Sequence, residues 1–585
     1  MKNDKQALRR RSLVPLLVFA AASLCAISPL MFHGCSCGHD FDFHLLSWME
    51  AAEQFQHGIL KPVWAFTPAF NAGEPRLLLY PPLSWVTGAA LGLVLPWAAV
   101  PVAFTGLVLF LAGVTMHRLL IRWVPPTLAV LCGCLYMVNP YMLFVAYTRT
   151  AYAELMAAAW MPLLLAAMLL PRLRSWKIGI VVALLWATNA PAAVAGCYSI
   201  LLFGVGRLIL MHRDNIRTQL RLVGTICGGV ALGFSLDAFY LVPLAWQRRF
   251  VQLTMALAPM ARPQANFLFA VDKDAYHTHV TTQASWIAVS VCSAAFLFGS
   301  AFLFRTRRGA SPLFQPVADG PQSRAGLSLR RVAGLLLGFA VVILFLLLPW
   351  SAPIWRFGPE LQFMQFPWRF LAVLSAVTVA LLALLLRQMS MALRPAIVLP
   401  VGMLIALLAG YFGGGTYFRE ACADDETLAA LRTEFQERYG VGPTDEYTPA
   451  DAENDDLPVH LPPAWTAMQM GDDPGAQTGL ESVTGNRPYD IRFTVPPSQD
   501  TRMAIIRLRR FPGWHVLRDG VELVPEARHD GLLVVPLPSG SKHVIQVSYR
   551  TTADQWAGLL VSLATLTLLS ITALRERSSM MGQAA

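Results

Sequence analysis

The sequence predicts a polytopic α-helical membrane protein with about 12 transmembrane helices and a β-sandwich domain near its C-terminus. The chain has 585 residues, of which 55% are hydrophobic and 14% are charged, and its mean hydropathy is +0.49. Soluble proteins carry about 25% charged residues, so this composition excludes a soluble globular protein. The net charge of +10 is explained by basic loops between apolar runs and requires no nucleic-acid partner.

Twelve apolar runs have about the length that crosses a bilayer. They lie at 13–32, 82–117, 126–145, 152–170, 176–190, 192–210, 222–245, 284–304, 331–350, 369–387, 395–412 and 556–574. Pro96 and Pro101 interrupt the second run, which we interpret as a short embedded helix followed by one crossing. Arg9, Arg10 and Arg11 before the first run indicate a retained signal anchor. Basic connectors between later runs place both termini in the cytoplasm.

These runs divide the chain into three regions. Residues 1–412 form the transmembrane domain, with an outer loop at 33–81, and 556–585 form the last transmembrane helix and a cytoplasmic tail. Residues 413–555 form an extracytoplasmic β-rich domain that holds 22 of the 36 acidic residues. Its second half alternates apolar and polar residues, as in "YDIRFTV" and "HVIQVSYR", which predicts a β-sandwich packed on one face.

The first outer loop carries the stretch "GCSCGHDFDFHLLSWME" at residues 34–50. From His44 to His57 the apolar residues recur at helical spacing, which predicts an amphipathic helix on the outer membrane surface. Asp42 is either the N-cap of this helix or a second acid of a site. Asp40 lies two residues earlier, and a carboxylate oriented by His39 or His44 is suited to general-base chemistry.

Cysteines and charged residues elsewhere leave alternatives open. Cys35 and Cys37 are free thiols, or one of them pairs with Cys422, because a CxC pair with one histidine is a weak metal signal. In "YTRTAYAEL", the ionisable residues Arg149 and Glu154 lie at the outer end of a span, where they either face a cavity or form a mutual salt bridge.

Arg369 follows Trp368 in "MQFPWRFL" at the start of a span. A tryptophan and arginine pair at a membrane interface often serves as an anchor. The forked guanidinium is equally suited to bind a lipid phosphate.

The order of these motifs resembles the GT-C superfamily of membrane glycosyltransferases. "YTRTAYAE" is similar to a motif of oligosaccharyltransferase catalytic subunits, although Ala153 replaces one of its acids. Together, "GHDFDFHL", "YPPLSW", "TRTAYAEL", "QFPWRF", "DEYTP" and "FPGWHVLRDG" more closely resemble bacterial membrane proteins labelled 6-pyruvoyl-tetrahydropterin-synthase-related. The label implies no pterin chemistry here.

The resemblance implies an inverting glycosyltransferase of the bacterial cytoplasmic membrane. It implies a GT-C-like transmembrane domain with Asp40 and Glu154 as catalytic acids, and with Asp42, His39 and His44 in support. Its substrates would be a polyprenyl-phosphate sugar donor, bound by Arg149 and Arg369, and a glycan, lipid or protein acceptor outside the membrane. No cofactor is required, and a divalent Mg or Mn ion would have only Asp40, Asp42 and Glu154 as ligands.

Two other classes of function remain open from the sequence. A flippase or transporter of lipid-linked sugars usually shows internal repeats and charged residues at mid-membrane. This sequence shows no internal repeat, and its candidate acids lie at the outer face. A non-catalytic membrane scaffold that binds polysaccharide would leave Asp40 and Glu154 with structural roles alone.

Overall fold

A computed structural model describes residues 2–171, 173–307, 327–388, 395–455, 457–474, 480 and 488–582. Side chains are described except at 2–12, 395–399 and 573–582. The described α-helices, in chain order, are α1 Lys2–Ala26, α2 Ser28–His33, α3 Phe41–Gln56, α4 Arg76–Leu79, α5 Pro82–Gly92, α6 Val100–Leu120, α7 Pro126–Met137, α8 Pro140–Tyr147, α9 Tyr152–Leu169, α10 Ser175–Thr188, α11 Ala190–Leu210, α12 Ile216–Leu236, α13 Ala238–Gln247, α14 Ala275–Arg307, α15 Leu329–Leu346, α16 Ala352–Phe357, α17 Leu371–Gln388, α18 Pro395–Leu408, α19 Leu428–Gln436 and α20 Ala553–Gly582. A π-helix, Ala409–Tyr417, continues α18.

The helices form a multi-pass membrane fold. Among the described residues, nine helices are long and apolar enough to cross a membrane: Trp97–Leu120, Pro126–Tyr147, Tyr152–Leu169, Ala190–Leu210, Ile216–Leu236, Ala275–Arg307, Leu329–Leu346, Pro367–Gln388 and Ala553–Thr572. Leu13–Ala26 and Ser175–Thr188 are shorter apolar helices. The 12 predicted spans are therefore not all confirmed. The run at 82–117 contains the short helix α5 and one long helix, α6, as expected from its prolines.

Eight β-strands follow in the C-terminal part of the chain: β1 Ala464–Ala467, β2 Asp490–Val495, β3 Arg502–Arg509, β4 Trp514–Arg518, β5 Val521–Leu523, β6 Glu526–Ala527, β7 Leu532–Leu537 and β8 His543–Tyr549. They form two antiparallel sheets, in the orders β1-β3-β7-β6 and β2-β8-β4-β5. Side chains from both sheets, such as Ile506 and Val516, share one apolar core. The predicted β-sandwich is confirmed, and we call it the β-domain.

The first sheet is buried on both faces, which differs from the prediction of packing on one face. Trp465, Ile505 and Val534 point away from the sandwich core and pack on Ala69 and Ala72. The 33–81 loop therefore forms part of the β-domain's packing. Apolar residues on both faces of this sheet are expected, because neither face meets water.

The predicted amphipathic helix is α3, but its polar face is covered rather than solvated. His44, Ser47, Glu50 and Gln54 are all buried. Gln54 donates to the carbonyl of Trp64 at 2.7 Å and accepts from the hydroxyl of a β-domain tyrosine at 2.7 Å. The 33–81 loop and the β-domain supply hydrogen bonds that water would otherwise make to this face.

Candidate active site

The loop before α3 is held against the turn between α8 and α9. Ser36 donates to the carbonyl of Tyr147 at 2.6 Å. Gly38 lies so close to the neighbouring turn that an added Cβ would stand 2.0 Å from the carbonyl oxygen of Thr148, so no side chain fits there. The backbone N–H of Asp40 donates to the carbonyl of Arg149 at 3.1 Å. These contacts place the two predicted motifs side by side.

A disulfide fixes the same loop to the chain segment that leads to the β-domain. Cys37 is bonded to Cys422, 385 residues away in the sequence, while Cys35 is a free thiol. The sequence left open whether either cysteine of the CxC pair is bonded to Cys422. The structure assigns the bond to Cys37.

The first ion pair joins Asp40 and Arg149. Asp40 Oδ2 accepts from Arg149 Nη2 at 3.1 Å, and Asp40 Oδ1 lies 2.7 Å from Nδ1 of His39. The Arg149 side chain is 5% exposed, Asp40 is 25% exposed and His39 is 65% exposed. The group therefore runs from a buried guanidinium through a half-buried carboxylate to an exposed imidazole.

The second ion pair joins Glu154 and Arg369. Glu154 Oε2 accepts from Arg369 Nε at 3.0 Å, and both side chains are less than a tenth exposed. Tyr141 donates its hydroxyl hydrogen to the other carboxylate oxygen. Arg369 also donates through Nη1 to the carbonyl of Met364 at 2.8 Å and to the side chain of Gln365 at 3.1 Å.

The ring of Phe366 connects the two pairs. The Cζ atoms of Arg149 and Arg369 lie 5.1 Å and 4.8 Å from its centroid, within the range of cation–π attraction. Its ring stacks on Trp368 at 4.6 Å. We call Asp40, Arg149, Glu154, Arg369 and Phe366 the two-arginine site.

Strained backbone supports this site in two places. Gln365 has φ 60° and ψ −59°, and the N–H of Phe366 donates to the carbonyl of Met364 at 2.6 Å across a γ-turn, a rare conformation with positive φ. Thr150, which follows Arg149, has φ 45°, an outlier for a β-branched residue. Such strain tends to collect at functional sites.

The contacts among Arg149, Asp40 and His39 determine the pKa values of the carboxylate and the imidazole. Burial opposes ionisation of Asp40, but Arg149 and the bond to His39 hold its pKa well below the usual range. The bond to Asp40 raises the pKa of His39. Burial lowers the pKa of His44 to about 4, so this side chain is neutral at pH 7. Asp40 is therefore an ionised carboxylate with little affinity for a proton.

Three of the sequence's alternatives are decided by these contacts. A mutual salt bridge between Arg149 and Glu154 is wrong, because each residue pairs with a different partner. Asp42 is not the N-cap of α3, because the helix begins at Phe41 and Asp42 lies in its first turn. The histidine bonded to Asp40 is His39, whereas His44 packs among aromatic rings and lies 5.6 Å from that of Tyr152.

The carboxylates do not form a metal site in the described part of the chain. No group of three or more histidine, cysteine, aspartate or glutamate side chains there is arranged to hold a metal ion. Asp40 and Glu154 each have a guanidinium partner, which satisfies their charge without a cation. The predicted ligand set of Asp40, Asp42 and Glu154 therefore does not fit a metal in this arrangement.

Sequence reasoning missed Tyr141, Phe366 and Tyr80 as members of the site. Tyr80 belongs to the quoted motif "YPPLSW", which could have drawn attention to it. Burial raises the pKa of its hydroxyl, and the nearby charge of Asp40 adds to this effect. Phe366 belongs to the quoted motif "MQFPWRFL", three positions before Arg369, whereas Tyr141 lies in an apolar run, where an aromatic residue gives no distinct signal.

Comparison with known proteins gives distant likenesses. No family model matches the chain, and no curated protein matches it. The arabinofuranosyltransferase AftD from Mycobacteria is similar over 68% of this chain, with 18% identity and a TM-score of 0.36. The chain covers 27% of AftD. ArnT from Cupriavidus metallidurans is similar over 71% of this chain and 78% of its own, with 15% identity and a TM-score of 0.27. At these TM-scores neither likeness carries an argument about activity.

Proposed function

We propose that this protein transfers a sugar from a polyprenyl-phosphate donor to an acceptor on the outer side of the bacterial cytoplasmic membrane. The observation that carries the proposal is the two-arginine site, in which two carboxylate–guanidinium pairs meet on one aromatic ring. The motif resemblance to GT-C glycosyltransferases supports the same reaction class. The acceptor is a glycan, a lipid or a protein.

The two guanidiniums are assigned to the donor phosphate. In the described part of the chain, Arg149 donates only to Asp40, and Arg369 donates through Nε and Nη1. Each arginine therefore retains N–H groups for a phosphate. A leaving phosphate needs electrostatic stabilisation more than a proton, and guanidiniums fixed before the reaction supply it without reorganisation. A donor whose lipid lies in the bilayer reaches such a site laterally.

The proton of the acceptor is assigned to the pair of His39 and Asp40. Asp40 alone is a weak base because its pKa is depressed, but the imidazole bonded to it has a raised pKa and an exposed ring. The acceptor oxygen bonds to the anomeric carbon, and the bond from that carbon to the phosphate oxygen breaks. The phosphate leaves with the electron pair, His39 takes the proton, and a single displacement inverts the anomeric centre.

Glu154 is assigned a role through Arg369. Its carboxylate is occupied by Tyr141 and Arg369 and is almost fully buried, so it holds the guanidinium in place rather than meeting the acceptor. Asp42 and His44 then support the loop and do not act on the proton. No step of this scheme is routed through a metal.

The orientation of the protein is also part of the proposal. Disulfides persist in oxidising compartments and are rare in the cytosol, and the Cys37–Cys422 bond supports an extracytoplasmic 33–81 loop and β-domain. We retain 1–412, 413–555 and 556–585 as the three regions of the chain.

The test is a transfer assay with a panel of radiolabelled polyprenyl-phosphate sugars. Purified protein in nanodiscs is incubated with each donor and with membrane extract as the source of acceptor. The proposal requires that label move from the lipid to an acceptor and that Asp40→Asn slow this transfer about 100-fold or more while Asp42→Asn retains it. Movement of intact labelled lipid between leaflets without cleavage of the sugar–phosphate bond would indicate a flippase instead.

A further inference from the structure

A groove lies at the end of the helical bundle opposite the two-arginine site. α14 begins near that site, where the hydroxyl of Tyr276 lies 3.5 Å from the carbonyl of Thr148. Its 33 residues then carry the chain about 50 Å to Arg307. The groove lies between this end of α14, the second half of α11 and the first half of α15, and its volume is about 800 Å³. Sites for small ligands have similar volumes.

The walls of the groove are apolar, and two glycines of α15 leave room within it. Gly334 and Gly338 lie one turn apart on α15, and an added Cβ at either would meet no atom within 4 Å. The rings of Phe203 and Phe339 stack at 4.8 Å on one wall. Glycine weakens a helix relative to alanine, and no described neighbour lies close enough to exclude a side chain at either position. The glycines leave room for an occupant that runs along α15.

Three arginines line one end of this apolar groove. Arg307, Arg330 and Arg331 are exposed, and none of them pairs with a carboxylate in the part of the chain that the structure describes. The segment that connects α14 to α15, 308–326, contains one acidic residue and two further arginines by sequence. Neither the described residues nor the composition of 308–326 therefore supplies enough negative charge to balance this end of the groove.

We propose that the groove binds an anionic glycerophospholipid, with its phosphate on the three arginines and an acyl chain along Gly334 and Gly338. Basic pockets between transmembrane helices bind anionic head groups of this kind, and forked guanidiniums suit phosphate oxygens. An apolar groove more than one helical turn long fits a lipid tail and gives a free phosphate nothing to contact. The site is separate from the two-arginine site and does not depend on the proposed reaction.

Native mass spectrometry of the full-length protein in detergent tests the proposal, with added cardiolipin as the probe. Two variants alter different features of the groove. Gly334→Leu/Gly338→Leu fills it, and Arg307→Gln/Arg330→Gln/Arg331→Gln removes its charge. Each arginine near an anionic lipid contributes about fivefold in affinity, so the triple variant is expected to bind cardiolipin about 100-fold more weakly. The filled variant is expected to lose the bound lipid.

Matched controls lie on α12 and in the loop before it. Gly224 is also a helical glycine whose added Cβ would meet nothing within 4 Å, and it does not line the groove, so Gly224→Leu is expected to keep the lipid. Arg213→Gln/Arg217→Gln/Arg221→Gln removes three charges elsewhere and is expected to do the same. The first control matches the gain of side-chain volume and the second matches the loss of three positive charges. The melting temperature of every variant in detergent without lipid is compared with that of the wild type.

Several outcomes would overturn the proposal. Wild-type binding of cardiolipin by either groove variant is one, and equal binding of zwitterionic phosphatidylethanolamine is another. Recovery of a polyprenyl phosphate as the lipid that the groove variants lose would assign the groove to a different occupant. Displacement of cardiolipin by millimolar inorganic phosphate would show an anion site without a lipid.

Discussion

Arg149 and Arg369 lie against the same aromatic ring, although 220 positions of sequence numbering separate 149 from 369. Each guanidinium also holds its own carboxylate. The arrangement holds two like charges near one another, because both guanidiniums contact the same ring and each is paired with its own carboxylate. A phosphate that enters would replace part of this internal neutralisation.

Asp40→Asn tests the base at the exposed end of the site. Asparagine keeps the shape and can still accept a hydrogen bond from Arg149. It carries no negative charge, so it no longer raises the pKa of His39 or holds the imidazole as firmly. We expect transfer to fall about 100-fold or more, with donor binding retained, as measured by initial rates and by donor titration. Asp42→Asn is the control and should keep nearly full activity. Full activity of Asp40→Asn would refute the assignment.

The pH dependence of transfer distinguishes His39 from Asp40 as the proton acceptor. His39 must be neutral to accept a proton, so activity should rise with pH as the solution passes through its pKa, which Asp40 raises above 6.5. Asp40→Asn removes the cause of that shift, so the residual activity should rise at lower pH. His39→Gln should lose this limb of the profile. A limb that persists in His39→Gln would assign it to another group.

Glu154 and Arg369 should show strong coupling in a double-mutant cycle. Removing one partner of a buried ion pair leaves an unpaired charge and costs about 3–5 kcal/mol, so Glu154→Leu and Arg369→Met should each lower the apparent free energy of unfolding in detergent. The double variant should lose less than the sum, by about 0.5–3 kcal/mol. Glu154→Leu combined with Arg149→Met should be closer to additive. The reverse ranking would support a salt bridge between Arg149 and Glu154 instead.

Much of the fold follows from local patterns, but the partners within the site do not. Apolar runs predict the helices and period-2 alternation predicts the β-sandwich, because both patterns depend only on which faces of a single helix or strand are buried. From the sequence, either His39 or His44 could orient Asp40, and the structure shows that the contact is with His39. Glu154 could not be assigned to Arg369, because its nearer arginine is five residues away and the correct one is 215 away. The burial of α3's polar face could not be predicted either, since its partners lie in a later part of the 33–81 loop and in the β-domain.

The disulfide should be visible in the thiol count and in stability. Seven of the nine cysteines are free, so alkylation of the denatured protein should modify seven without reductant and nine with it. Cys37→Ser/Cys422→Ser should lower the free energy of unfolding by about 2–4 kcal/mol. Cys35→Ser should have little effect. Nine modified thiols before reduction would contradict the bond.

Orientation can be tested with a membrane-impermeant maleimide on whole cells. Leu60 and Val524 are 85% and 92% exposed, so cysteines there should react from outside. They are better reporters than positions near Asn71, whose side chain is bonded to the carbonyl of Arg438. Cysteines at Arg172 and Arg324, which lie outside the described residues, should react only after lysis. Labelling at 324 in intact cells would invalidate the predicted topology.

The contacts of the 33–81 loop with the C-terminal part of the chain affect how the protein folds during synthesis. The tyrosine that bonds Gln54 is Tyr489, 435 residues later, and Arg76 donates to Thr444 at 2.7 Å. At a synthesis rate of about 5–20 residues per second, such a partner emerges roughly 20–90 s after the helix. During that interval the side chain of Gln54 lacks its tyrosine partner. In this state the loop is expected to be more accessible to chaperones and proteases. A ribosome that stalls before Tyr489 leaves a chain with most of its apolar helices and every residue of the two-arginine site, but without the tyrosine that bonds Gln54.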